Sequence, residues 1–317
     1  MLILGYPFWT MPVEDRNIFK RYMKALEIDK GVHFALINGL LHTRLRCRKC
    51  LAIGCVNIIK NKQSPDGFSL KCSRCNHRMT LRTGSFFYDS KLSIEQILVI
   101  VGYFVSGLEV SCVAEHTLIS NKTVIDWFEF CRNICEHALD LPNTKIGGPG
   151  LVVQIDDSLF LKRKNNRGRN LERSWYFGGY CQDQKNGFVV PVERRDSESL
   201  IPLIDMYVER GSIIHSGERS AFNCLSSYGW IHQTVNHSQH FVDPVTGVGT
   251  QEFESFWNQM KRKLRHFMCS QGDLQYEQVI EYMYRFNFGF NTRKSFEEKI
   301  WMFFEHIRAK YNGEPTV

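Results

Sequence analysis

Two Cys-x-x-Cys pairs, Cys47/Cys50 and Cys72/Cys75, stand 21 residues apart and constrain this chain more than any other feature. Each pair sets two thiolates on one tight turn, and two facing turns complete a tetrahedral zinc site. The intervening residues form short β-like runs around a Ser-Pro-Asp-Gly turn, which is the layout of a zinc ribbon. Four thiolate ligands leave no open coordination position, so the expected zinc is structural. The alternatives are a reduced thiol pair in a core or a redox pair. Cys55 falls outside the four and reads as a small buried hydrophobe. The chain has 11 cysteines in all. An odd, scattered set argues against a secreted disulfide framework and for a reducing, intracellular compartment, the nucleus if the source is eukaryotic. The opening "MLILGYPFWTMPVEDR" lacks the basic start and small-residue cleavage site of a signal peptide. The later apolar run "ILVIVGYFVSG" from Ile97 is too short to span a bilayer and reads as a core helix, so no membrane partner is expected.

The rest of the chain divides by texture. Residues 1–44 form a helical segment, with Ile18, Tyr22 and Leu26 on one face, and residues 45–90 the ribbon. Residues 91–140 are helical: "SIEQILVIVGYFVSG", then "EVSCVAEHTLISNKTVIDWFEFCRNICEHAL" with a break at Leu118 to Ser120. Val124, Trp127, Phe128, Cys131 and Cys135 make an apolar stripe on the last helix. Ser120 is its candidate N-cap, and Lys122 faces outward near its start, where a recognition helix meets DNA. An ordinary three-helix packing unit fits the same pattern, and the two readings stay open. Residues 141–150 are a Pro- and Gly-rich linker. Residues 151–290 begin with short strands, "LVVQID", "SWYFGGYC", "GFVVPVE" and "SIIHS", with the helix "SESLIPLIDMYVER" before the last, and end in helices from Gln251. That mixture predicts an α/β core, followed by a C-terminal helical tail over 291–317.

The stretch "LVVQIDDSLFLKRKNNRGRN" poses the functional question. A strand is expected to end at Asp156 and Asp157, and Lys162, Arg163, Lys164, Arg167 and Arg169 follow. Surface ion pairing is the plain explanation. The sharper one is a metal site that works on a polyanion, and a formal charge of +7 favours an anionic partner. Metal-dependent phosphodiester cleavage needs carboxylates converging from different elements. On a helix from Gln251, the residues Glu254, Asn258, Lys261 and Arg265 share one face. That sets a carboxylate at one end of the helix and cations further along. A solvated amphipathic helix would show the same spacing.

In its order of ribbon, helical region and α/β domain the chain resembles the Merlin-type transposases and their ISXO-like bacterial insertion-sequence relatives, of the DDE superfamily. The resemblance runs from Cys47 to Phe288 and is best at "CSRCNHRMTLRTGSFF", "QIDDS", "VNHSQHFVD" and "TQEFESFWNQMKRKLR". It implies an RNase H-like catalytic core in which carboxylates hold Mg²⁺ or Mn²⁺ for DNA strand cleavage and transfer. Asp156 matches the first catalytic Asp and Glu254 the final acid. His237 falls in the family's His-Ser dipeptide, and Gln251 stands where an Asn is usual. Counting back from Phe222 puts Gly217 where the second Asp belongs, and glycine brings no ligand. Glu218 could substitute only if the strand has ended and the backbone turns there. The resemblance therefore implies a transposase-derived protein that binds double-stranded DNA such as transposon ends, as a candidate homo-oligomer, with impaired nuclease activity. The alternatives are an active transposase using Glu218 or two carboxylates, and a DNA-binding or interaction protein whose catalytic domain is now scaffold.

Overall fold

The computed structural model describes residues 20–24, 26, 31–42, 45–140, 145–160, 175–235, 247–265, 272–291 and 294–312. They fall into two compact units, Met1–His137 with Thr292–Val317, and Ala138–Asn291.

In the first unit a short helix α1 (Val32–Ile37) precedes an antiparallel meander of β1 (Val56–Lys60), β2 (Phe68–Cys72) and β3 (Arg78–Thr80). Asp66, in the turn between β1 and β2, forms a two-pronged ion pair with Arg82 at 2.6 and 2.8 Å. The third nitrogen of the same guanidinium bonds the carbonyls of Ser90 and Leu92 at 3.1 and 2.7 Å. One buried arginine thus ties the hairpin to the segment that leads into α2 (Ile94–Ser106). Helix α2 starts at a capping box between Ser93 and Gln96 and stops at Gly107 in the left-handed conformation. It is buried along most of its length, as its continuous apolar run predicts.

Helices α3 (Val110–Thr117) and α4 (Asn121–Leu139) are separated at the expected break, where Leu118 is left-handed and exposed. Ser120 accepts the Thr123 backbone N–H at 3.2 Å and so caps α4. The expected stripe of Val124, Trp127, Phe128, Cys131 and Cys135 is buried. The last helix, α8 (Phe296–Lys310), packs Phe303 on Phe104 of α2, and Arg308 bonds the Asn38 carbonyl at 2.9 Å.

The second unit is built on five strands in the order β10-β9-β5-β6-β7. They are β5 (Val152–Leu159), β6 (Trp175–Cys181), β7 (Asn186–Val192), β9 (Ile213–Gly217) and β10 (Ile231–Val235). β6 is antiparallel to β5 and β7, whereas β9 runs parallel to β5 and β10 parallel to β9. A separate two-stranded pair joins β4 (Ile146–Gly147) to β8 (Val208–Glu209). One face of the large sheet holds Val153, Ile155, Phe177 and Ile214 against α5 (Ser197–Tyr207). The other packs Tyr176 and Val189 against α6 (Gln251–Lys263) and α7 (Gly272–Asn287). Phe253, Phe256, Trp257, Met260 and Leu264 of the α6 segment are all buried there.

One strand departs from expectation. β5 does not stop at the two aspartates but continues to Leu159, because β6 goes on pairing with it as far as Leu159↔Trp175. Asp156 and Asp157 therefore lie inside a strand, and alternation sends their side chains to opposite faces.

Candidate functional site

The Sγ atoms of Cys47, Cys50, Cys72 and Cys75 all lie within 4.8 Å of one another. Cys47 and Cys75 are 3.5 Å apart, and Cys50 and Cys72 3.6 Å. Zinc–sulfur bonds of about 2.3 Å place tetrahedral sulfurs roughly 3.8 Å apart, so the donor set fits such an ion. The turns help: the backbone N–H of Cys50 holds the Cys47 thiol below its ordinary range, which favours the thiolate a metal needs. When bound, the metal would cross-link the turn that precedes β1 to the turn between β2 and β3. Cys55, expected as a small buried hydrophobe, is half-buried, with its Sγ 3.3 Å from that of Cys72 and 3.3 Å from the Ala52 carbonyl. Among the described residues no other group of three or more metal-ligand side chains converges.

The second unit places the acidic residues by register. Asp156 shares its face of β5 with Gln154 and Ser158, the face covered by α6. Gln154 reaches the start of that helix: its amide accepts the Phe253 N–H at 3.0 Å and donates to the Glu252 carboxylate. Ser158 accepts a bond from Lys261, two turns further along. Asp156 lies between these anchors, so the register lays α6 alongside it. Gly178 sits directly across from Asp156 on β6. A methyl group at Gly178 would lie 2.5 Å from the Phe188 carbonyl and 3.0 Å from the Phe253 ring. The absent side chain lets α6 settle close to the sheet beside Asp156. Glu254 is in the first turn of α6, and Thr250 donates to its carboxylate at 3.2 Å.

β9 pairs with β5 through Gln154↔His215. Extending that register by two residues sets Gly217 beside Asp156 on the same face. Gly217 is the last residue of β9, and Glu218 is exposed in the bend that follows. The side chains at hand do not fit a clamp of three carboxylates, because glycine supplies none and the described acids form no group of three.

Asp157 points to the opposite face and is fully buried, with ion pairs to Arg195 at 2.5 Å and to Arg219. The contacts lack hydrogen-bond alignment, so they are ion pairs rather than directed bonds. Arg195 also lies 3.4 Å over the Trp175 ring. Burial holds both guanidiniums below their ordinary range, and the charge of Asp156 pulls the other way. This pairing was not foreseen. Two adjacent aspartates are indistinguishable in sequence, and only the register separates them.

Of the expected DNA contacts, Lys122 and Arg265 are exposed. Lys261 is half-buried, with its ammonium on Ser158 and 5.7 Å from the Phe160 ring centre. Lys162, Arg163, Lys164, Arg167, Arg169 and His237 lie outside the described residues.

Residues 152–291 match the ISXO2-like transposase domain. An uncharacterized transposase-like protein of Haemophilus influenzae is 30% identical over 83 residues, 25% of this chain. The chain spans 63% of the length of that relative. A chain in a cryo-EM structure of a simian T-cell lymphotropic virus intasome, in complex with PP2A regulatory subunit B56 gamma, is 14% identical. The match covers 52% of this chain and 57% of that one at a TM-score of 0.29, too low to argue from.

Proposed function

We propose that this chain, whose residues 152–291 match the ISXO2-like transposase domain, is a transposase-derived DNA-binding protein with impaired strand cleavage. The inherited reaction is metal-dependent cleavage and transfer of DNA strands. Two divalent ions about 3.5–4 Å apart would clamp the attacking and leaving oxygens in such a reaction. The observation that carries the reading is Gly217. It ends β9, and extending the β5–β9 register two residues past Gln154↔His215 sets it beside Asp156, where a further carboxylate would have to stand.

The same reading assigns an RNase H-like core to residues 151–290. It is supported by a five-stranded sheet in which only β6 runs against its neighbours. Residues 45–90 are read as a zinc ribbon on the strength of the thiol cluster. For residues 91–140 the cap at Ser120 and the exposed Lys122 favour a DNA-facing helix-turn-helix. Residues 1–44, the linker 141–150 and the helical segment 291–317 complete the division. The partner is double-stranded DNA, with transposon ends as the specific form and a homo-oligomer as the working assembly. The site of action is intracellular, the nucleus if the source is eukaryotic. Among the described residues no helix is long and apolar enough to cross a membrane.

Incubation of the purified protein with labelled duplex in magnesium tests the reading. No nicking is expected from the protein as it stands, and Gly217→Asp should raise metal affinity and produce nicks. Robust magnesium-dependent cleavage by the unmodified protein, lost in Glu254→Ala, refutes it. A second reading, an active nuclease using Glu218, has one observation in its favour: β9 ends at Gly217, and the exposed Glu218 sits in the bend. Under that reading Glu218→Gln abolishes the cleavage.

A further inference from the structure

We propose that Arg195 and Arg219, anchored on the buried Asp157, form a clamp for the phosphate backbone of double-stranded DNA that works without a divalent metal ion. The inference rests on the DNA-binding function proposed above and assigns that function a grip.

Three features separate this cluster from an ordinary buried ion pair. First, the burial is one-sided: the Asp157 side chain is 0% exposed, whereas the arginines keep 32% and 31% of theirs. The anion is sequestered and the cations remain accessible, so the trio presents a net positive charge. Second, the donors are divided between partners. Asp157 engages Arg195 through Nε and Arg219 through one terminal nitrogen. A guanidinium has five N–H donors in a fixed fork, so each arginine keeps donors for a phosphate oxygen. Third, the Arg195 guanidinium carbon lies 3.4 Å from the centre of the Trp175 ring, a cation–π contact that holds its fork in place before any ligand arrives. A fixed planar fork suits phosphate better than a flexible ammonium does.

The location fits the same use. Arg219 is two residues beyond the end of β9 and Asp157 is near the carboxyl end of β5, the strand that also carries Asp156. Both guanidiniums feel the charge of Asp156. Positive charge that divalent ions would otherwise bring to this end of the sheet is thus supplied by the chain itself. Backbone phosphates can then be held there without magnesium.

The test is duplex binding by fluorescence anisotropy, with and without magnesium, over a range of salt. The full chain carries Asp157→Asn, Arg195→Gln and Arg219→Gln together, so that no buried charge is left unpaired. Counterion release contributes roughly 0.9 to the slope of log affinity against log salt per phosphate contact, so the slope should flatten by about 2. The Arg195→Lys/Arg219→Lys variant keeps the charges and loses the forks. It should retain the slope but bind more weakly, and it reads the clamp even if the triple variant fails to fold. Wild-type binding should not require magnesium, which acts here only as a competing counterion. An unchanged slope in the triple variant, full affinity in the lysine variant, or wild-type binding that needs magnesium overturns the clamp and leaves the DNA-binding function standing. No duplex binding by the wild type overturns both.

Discussion

Gln154 is the residue by which the sheet holds the helix that carries Glu254, and Gln154→Leu should release that helix. The first backbone N–H groups of a helix have no partner within it. At α6 the preceding Thr250 makes no side-chain cap. Instead the Gln154 amide, 6% exposed in the middle of β5, accepts the Phe253 N–H at 3.0 Å. Its other end donates to the Glu252 carboxylate. Leucine has a similar volume and supplies neither bond, so the loss is polar rather than a cavity. A neutral bond contributes about 0.5–1.5 kcal/mol and one to a charged group about 1.5–3. Together they put the local cost at roughly 2–4 kcal/mol. At about 1.4 kcal/mol per factor of ten, amide exchange across residues 247–265 should speed by roughly 30-fold to 1,000-fold. Exchange read by mass spectrometry reports this local opening without requiring the whole chain to unfold in one step. The meander of the first unit is the internal control and should not change. Acceleration of less than about threefold, under 1 kcal/mol, would mean that α6 is held by its apolar face alone and that Gln154 is not its anchor.

Three further outcomes test other parts of the fold. Metal analysis of the purified protein should find about one zinc per chain, and Cys72→Ser should lose it and open residues 45–80 to protease, because such a site contributes folding energy directly; an unchanged cleavage pattern with no zinc in the wild type would sink the site. Asp66→Ala leaves Arg82 buried without its carboxylate and should cost about 3–5 kcal/mol in urea unfolding of the first unit, with Asp66→Asn costing less. Burial, and then the neighbouring His137, pushes the His306 imidazole down to about 4. The native state therefore favours the neutral ring: stability is full above the ordinary value near 6.5, falls as pH drops from there towards 4, and levels off below. His306→Gln should flatten that part of the stability–pH profile, and an unaltered profile would rule out His306 as its source.

The parts legible in the sequence are those fixed by local chemistry. Paired thiols at fixed spacing, the break at Leu118 with Ser120 behind it, and the helix beginning at Gln251 are all where the residues put them. The parts that were not legible depend on partners far along the chain. β5 continues past its acids only because β6 accompanies it. β10 was not expected as a strand, since an edge position leaves Ile231, Gln233 and Thr234 exposed and erases the alternation that marks a strand. The bond from Arg308 to the Asn38 carbonyl spans 270 residues and leaves no trace in either segment's pattern. The proximity of Cys55 to Cys72 likewise comes from the folded turn and not from the spacing of the two pairs.

The neighbouring aspartates show why register matters more than composition at this end of the sheet. Asp156 and Asp157 carry the same charge one residue apart, and alternation assigns them to different faces with different surroundings. Asp156 faces α6, the helix of Glu254, and the β5–β9 register extended past Gln154↔His215 sets Gly217 beside it. Asp157 faces away and holds two arginines, whose charges also act on Asp156. Asp157 with Arg195 and Arg219 carries a net positive charge on one face of the strand, and Asp156 lies on the other. A divalent cation entering beside that charge must have its desolvation offset by an excess of negative charge on its own face. An aspartate at position 217 would restore such an excess on the face that Asp156 already occupies. On the proposed reading, the glycine withholds that negative charge as well as a ligand, and the phosphates of DNA are what the two arginines would answer.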